Sequence, residues 1–348
     1  MRFRALALVL ALIVPSERVA HADGPLAPAA AVIPGFVVHG TGHFVAGQPA
    51  IGRRLLLIEG IGLAMLAGSL GGLAATGASR YTVVPFAVGA VVGFDLFALS
   101  FLADVYGTAA PGGLGTPLRA TPRLEAEVGV RFVHDPQFAY GALAFQRLNF
   151  RHHRVRLSPS AWQAPSGRAG EVAFLAGYRL VGPTTDPADA HGKDGSALDL
   201  EGAAGHRSYQ ADGFATTTVE ARASGRLDLF HLGSTLRGSF TELSLGVALA
   251  KHQYAIGASE NDTILLTRFA LGMYLGPAGE LSMHFDHRRD TLAGGMLVPG
   301  IGAGYLGFAG ASFRTWIGDT FGFAVEGDVG SAWLLGAALR VRQGGRTW

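Results

Sequence analysis

The chain has 348 residues and no cysteine, with 51 glycines, 49% hydrophobic residues and only 16% charged ones. The missing cysteine excludes disulfides, a lipoprotein anchor, thiolate metal sites and thiol catalysis. A formal net charge of +2, from 28 basic and 26 acidic groups, gives no ground for a nucleic-acid or acidic partner. Charge this sparse is well below the ~25% of ordinary soluble domains.

Residues 1–22 have the three parts of a secretory signal peptide. Arg2 and Arg4 supply the positive start, Ala5 to Val14 the short apolar stretch, and Ala20-His21-Ala22 the small-x-small cleavage pattern. Export without cysteine suits an envelope protein of a Gram-negative-type cell. Residues 23–33 form an Ala/Pro-rich linker.

Residues 34–106 are expected to form an apolar helical hairpin. Its helices run over 53–76 and 81–106, joined by Gly77-Ala78-Ser79-Arg80. The uncharged run Gly60 to Ser79 is long enough for the ~30 Å core of a bilayer. Gly68 and Gly72 make a GxxxG pattern, as do Gly89 and Gly93, and folding about the turn brings Gly68 level with Gly89. Four polar groups stand out in this apolar setting: His39, His43, Glu59 and Asp95. If residues 34–44 are helical, His39 and His43 share a face, and Glu59 or Asp95 could complete a metal site. Satisfied polar contacts explain the same residues more simply, and no metal or other cofactor is expected. Pro34-Gly35, Gly40, Gly42-His43-Phe44 and Gly47 together resemble the Pro-Gly…Gly-His-aromatic…Gly element that opens small two-helix membrane modules in bacteria. That resemblance implies membrane association and no particular activity. Residues 107–120 are Gly/Pro-rich and read as a hinge.

From residue 121 to 348 the pattern changes to period two. Leu124, Ala126, Val128, Val130 and Phe132 fall on one face, and Glu125, Glu127, Gly129 and Arg131 on the other. Strands are expected near 123–133, 138–148, 150–157, 169–181, 197–207, 214–231, 235–252, 263–275, 279–289, 303–316, 320–328 and 332–342. The fold class is therefore an all-β transmembrane barrel of about twelve antiparallel strands, ten being the alternative, preceded by the hairpin. An even count places both ends on the periplasmic side, with short turns at 233–234, 276–278 and 318–319 and longer loops at 253–262 and 290–302. The long connection 182–196 conflicts with that alternation. Pattern alone makes 120–342 resemble the outer-membrane barrel class. Gly336 to Val341 resembles the terminal signal read by outer-membrane assembly machinery, although its apolar residues are not aromatic.

With apolar faces outward, the lumen receives Glu125, Glu127, Arg131, Glu171, Arg179, Asp199, Glu201, Glu220, Arg222, Glu242, His284, Asp286, Arg288, Glu326, Asp328, Arg340 and Arg342. Mixed charges could pair across it and fill it, or separate into walls and make a selective pore. Ser282, His284 and Asp286 share one face of the ninth strand and are the candidates for hydrolytic chemistry. Outer-membrane phospholipase A and the lipid A deacylases place His and Ser two apart on a barrel strand. Here the order is Ser-x-His, which counts against carrying that activity over. Arg151, His152, His153, Arg154 and Arg156 form a basic stretch, read as a solvated edge or as a contact for lipid phosphates.

These readings define an outer-membrane protein in contact with lipid and with the assembly machinery, serving as a narrow pore for small solutes or as a membrane-anchored scaffold. An envelope-lipid hydrolase is the alternative of a different class. An inner-membrane hairpin carrying a soluble periplasmic β-domain is the third.

Overall fold

The structure is a computed structural model that describes residues 26–77, 79, 82–109, 121–136, 140–186, 194–211, 213–231, 238–275, 278–288, 290–296 and 307–343. The signal peptide, most of the hinge, the turn at Gly233-Ser234 and the tail beyond Gln343 lie outside the described residues. The chain forms two compact units, one helical and one a barrel.

In the helical unit, α1 (Leu26–Val32) replaces the expected linker. Alanine is the best helix former, and Pro28 sits in the first turn, where a missing N–H costs nothing. Next come α2 (Thr41–Val45), α3 (Pro49–Ala75) and α4 (Val83–Ala109). The stretch 34–44 is not one helix, because Gly40 adopts φ 88° between the two histidines. A side chain there would also collide with the Gly52 carbonyl, so the bend is specific to glycine. The long helices pack through glycine, as expected, but in a different register. A Cβ on Gly62 would come within 2.7 Å of the Gly93 carbonyl oxygen, while one on Gly68 would meet open space. Gly89 faces Ser69 instead of Gly68. Both long helices contain stretches long and apolar enough to cross a membrane.

The second unit is a closed barrel of twelve antiparallel strands in simple sequence order. They are β1 (Leu124–His134), β2 (Gly141–His152), β3 (Val155–Gln163), β4 (Gly170–Val181), β5 (Ala197–Ser208), β6 (Ala215–Asp228), β7 (Ser239–Gln253), β8 (Ser259–Leu275), β9 (Gly279–Asp286), β10 (Phe308–Ile317), β11 (Phe321–Val329) and β12 (Trp333–Gln343). Pairing of β1 with β12, from Leu124–Gln343 to His134–Trp333, closes the cylinder and leaves no open edge. The loop expected at 253–262 shrinks to 254–258, because β8 begins at Ser259.

The third strand is weak for a visible reason. Pro159 lies inside it, and the β2–β3 ladder skips from Arg147–Ser160 to Phe150–Leu157. Proline has no N–H to donate there. Its other edge holds, with continuous pairing to β4 from Val155 to Gln163.

Burial runs opposite to that of a soluble domain. On β1, Val128 and Val130 are 60% and 55% exposed, whereas Glu125 and Glu127 are 8% and 7% exposed. The apolar band faces out and the charges face in, the arrangement of a transmembrane barrel.

Candidate functional site: a charge-lined lumen

Because side chains alternate, every second residue of each strand enters the lumen. They surround a cavity of about 790 Å³ inside the barrel. Among the described residues, twelve arginines and twelve carboxylates line it. No lysine is among them. Arginine suits this duty, since its planar fork can hold a carboxylate through two parallel bonds.

Most of these groups pair, and the pairs interleave around the wall. Arg131 meets Glu326 at 2.7 Å. Arg179 grips Asp199 with two bonds of 2.8 and 2.9 Å. Glu201 accepts from Arg222 at 2.6 Å, from Ser224 at 3.3 Å and also from Arg156. Arg226 bridges Glu242 at 2.7 Å and Glu280 at 3.1 Å. Glu125 takes Arg340 at 3.1 Å and Arg151 at 3.6 Å. Arg207 holds Glu171. Aromatic rings carry several guanidinium groups as well: Arg340 and Arg342 lie 4.3 and 4.4 Å from the Trp316 centroid.

The candidates read from the sequence fall into this frame unevenly. Glu125, Glu127, Arg131, Glu171, Arg179, Asp199, Glu201, Glu220, Arg222, Glu242, Asp286, Arg288, Glu326, Asp328 and Arg340 line the cavity. His284 stands behind it, with Nε2 3.1 Å from Asp328 Oδ1. Arg342 donates to the Asp319 carbonyl oxygen at 2.9 Å, in the β10–β11 turn. The Ser282, His284 and Asp286 face does not form a relay. Ser282 Oγ bonds Ser312 Oγ at 2.9 Å, and Asp286 accepts the backbone N–H of Arg288.

The basic stretch across the β2–β3 hairpin also divides. Arg151 and Arg156 point into the lumen as partners of Glu125 and Glu201. His152, His153 and Arg154 are exposed at the hairpin turn. Sequence reasoning missed Arg147, Arg207, Arg226, Arg268, Glu280 and Arg314, all of which line the cavity. Strand parity was the available signal, and on β8 it is blurred because Ile264, Leu266 and Ala270 also face inward.

One mouth of the lumen is narrowed by the chain itself. Residues 290–296, after β9, turn inward. Leu292 is buried with Val133, Leu143, Phe145, Trp162 and Leu334, and Ala293 beside it is buried as well. Arg288 fastens this strap by bonding Glu220 at 2.7 Å and Asp290 at 2.8 and 2.9 Å. Burial would raise the Asp290 carboxyl, but the bonds and charge of Arg288 outweigh it and hold Asp290 below the usual carboxylate range. The Ala332 N–H donates to the Ala293 carbonyl oxygen at 3.0 Å, tying the strap to the β11–β12 turn.

The polar groups of the hairpin form a separate, buried set. Asp104 accepts the backbone N–H groups of Gly40, Gly42 and His43 at 2.8, 3.1 and 3.0 Å, and His43 Nδ1 lies 2.7 Å away. His39 donates its backbone N–H to Glu59 at 2.9 Å, and its Nδ1 lies 2.6 Å from Ser100 Oγ. Asp95 joins neither group, and its Oδ2 makes no hydrogen bond. Among the described residues no three His, Cys, Asp or Glu side chains group to hold a metal ion. These histidines therefore fasten the Pro-Gly segment to the helices.

Lumen and outer band together define a barrel of the outer-membrane type. No family model matches the sequence, and neither does any curated protein. Solved structures similar to this chain include the KdgM porin in complex with disordered oligogalacturonate, at 8% identity and TM-score 0.41, over 63% of this chain and 99% of that one. The translocator domain of the autotransporter NalP from Neisseria meningitidis is similar at 16% identity and TM-score 0.37, over 78% and 100%. Omp33 of Acinetobacter baumannii is similar at 8% identity and TM-score 0.36, over 64% and 98%.

Proposed function

We propose that the protein is an outer-membrane pore that passes small solutes with little preference for the sign of their charge. The observation that carries this is the balance of the lumen: twelve arginines and twelve carboxylates interleave around about 790 Å³ of open space. A wall of one sign would select ions strongly, whereas interleaved pairs cancel beyond a short distance. Arg–carboxylate pairs across the wall also fix the side chains, so the aperture has a set width.

The outer surface supports insertion in lipid. Val128, Val130, Val172, Val219, Leu249 and Leu339 all stand more than half exposed. On a soluble domain such a belt would be an aggregation surface. The signal sequence supports export, and in a transmembrane barrel with both termini at one end that end faces the periplasm. The 254–258 turn then faces outside, and its Ile256 is 89% exposed. Separation of the two membranes, with an epitope inserted after Ile256, tests the location. Outer-membrane fractionation with labelling of intact cells is expected. Inner-membrane fractionation, with labelling only after the outer membrane is opened, would overturn it.

A further inference from the structure

Two arginines of the lumen are held differently from the rest. Most of the described ion pairs there close to hydrogen-bond distance. Arg147 stands 3.9 Å from Glu127 and Arg314 stands 3.7 Å from Glu280, too far for a hydrogen bond. Among the described paired arginines of the lumen, their side chains are also the most exposed, at 34% and 37%. Both line the cavity, so their N–H donors lie open to a solute there.

The two guanidinium groups come from different walls. Arg147 is on β2 and Arg314 on β10, with β1, β12 and β11 between them. The charge of Arg314 nevertheless acts on Arg147, and both act on Glu326. The carboxylates around them already hold other arginines. Glu326 accepts from Arg131 at 2.7 Å, Glu280 from Arg226 at 3.1 Å and Glu125 from Arg340 at 3.1 Å. Glu127 acts on both Arg147 and Arg314, and its side chain is only 9% exposed. A solute at this level therefore meets guanidinium before carboxylate. Like charges facing one cavity repel, so an anion between them stabilises the wall.

We propose that Arg147 and Arg314 form a binding site for a doubly charged oxyanion, phosphate either free or as the phosphate group of a small solute. A guanidinium presents its donors in a planar fork that matches phosphate oxygens. Two forks from two walls close on one phosphate, whereas a carboxylate fills one fork and chloride matches neither. The inference deepens the pore reading, on which it rests for the route by which solute arrives. Singly charged ions still pass with little preference of sign, while phosphate pauses between the two forks.

The test is equilibrium dialysis of radiolabelled inorganic phosphate, at a pH where it is doubly charged, against the detergent-solubilised full chain, alongside KCl conductance in planar bilayers. Saturable binding is expected, displaced by sulfate but not by chloride or acetate at equal concentration. Displacement by glycerol phosphate as well assigns the site to phosphate-bearing solutes, and displacement by the inorganic ions alone assigns it to the free ion. Arg147→Gln and Arg314→Gln should each weaken binding at least tenfold, with heat-modifiable migration retained. Phenylglyoxal labelling of the wild-type chain locates the site even if a variant fails to fold: phosphate should protect Arg147 and Arg314 from modification. Absence of saturable binding, chloride or acetate competing as well as sulfate, or protection confined to other arginines would overturn the site. Conductance without phosphate binding keeps the pore and removes the site; phosphate binding without conductance keeps the site and removes the pore.

Discussion

Arg288 and Glu220 meet at 2.7 Å across the lumen, joining the segment after β9 to the wall of β6. Through this contact a connection between two strands becomes part of the barrel interior. The same guanidinium holds Asp290, so one side chain fixes both the start and the turn of the strap. Arg288→Ala should release residues 290–296 from the mouth and raise single-channel conductance. Single-channel recording in planar bilayers checks this, and conductance equal to wild type would show that the strap does not set the aperture.

Glu201 is the most shared carboxylate of the lumen, serving Arg156, Arg222 and Ser224. Glu201→Gln leaves the wall with one surplus positive charge. The permeability ratio should shift toward anions by about two- to fivefold, on the order of 1 kcal/mol for a unit charge in a solvated channel. Reversal potentials in a salt gradient measure it.

In the helical unit, Gly62 and Gly93 let two backbones touch, and Gly68 does not. Gly62→Ala should destabilise the hairpin by roughly 1–3 kcal/mol through overpacking. Gly68→Ala should stabilise it by up to ~1 kcal/mol, because alanine favours helix and the position is open. Thermal denaturation in detergent of the two variants should move in opposite directions.

Asp104 gathers three backbone N–H groups in one buried carboxylate. Asp104→Asn turns one acceptor into a donor and strands buried N–H groups, at a cost of roughly 3–5 kcal/mol. Protease cleavage between Pro34 and Gly47 should become fast in the variant and stay slow in wild type.

His39 supplies a pH dependence. Its burial pushes the imidazole down from 6.5 to about 4, with Asp104 opposing that shift. Ser100 and Glu59 are its other polar neighbours. The unfolded segment therefore binds a proton between pH 6.5 and 4 while the folded one does not, so stability falls as pH falls through that window. The full effect is on the order of 3 kcal/mol. Protection factors at 38–42, which correct exchange rates for their intrinsic pH dependence, should fall from pH 7 to pH 4.5, and His39→Gln should flatten the trend.

The barrel was legible in the sequence wherever one face was charged and the other apolar, as on β1, where Glu125, Glu127 and Arg131 alternate with Val128 and Val130. It blurred where both faces were apolar. Arg268 was missed because Ile264, Leu266 and Ala270 share its lumen face, so no alternation marked the row. Local pattern was also silent on partners. Nothing in Ser282-x-His284-x-Asp286 shows that the serine bonds Ser312, a residue on the neighbouring strand. His39 and His43 misled for a similar reason: their spacing suits a helix, but Gly40 turns the chain left-handed between them.

The most direct test of a charge-balanced pore is ion conductance of the purified full chain in planar bilayers under a salt gradient. Small, discrete conductance steps with a cation-to-anion permeability ratio near one are predicted. No conductance above a lipid-only control, or strong preference for one sign of ion, would contradict the account.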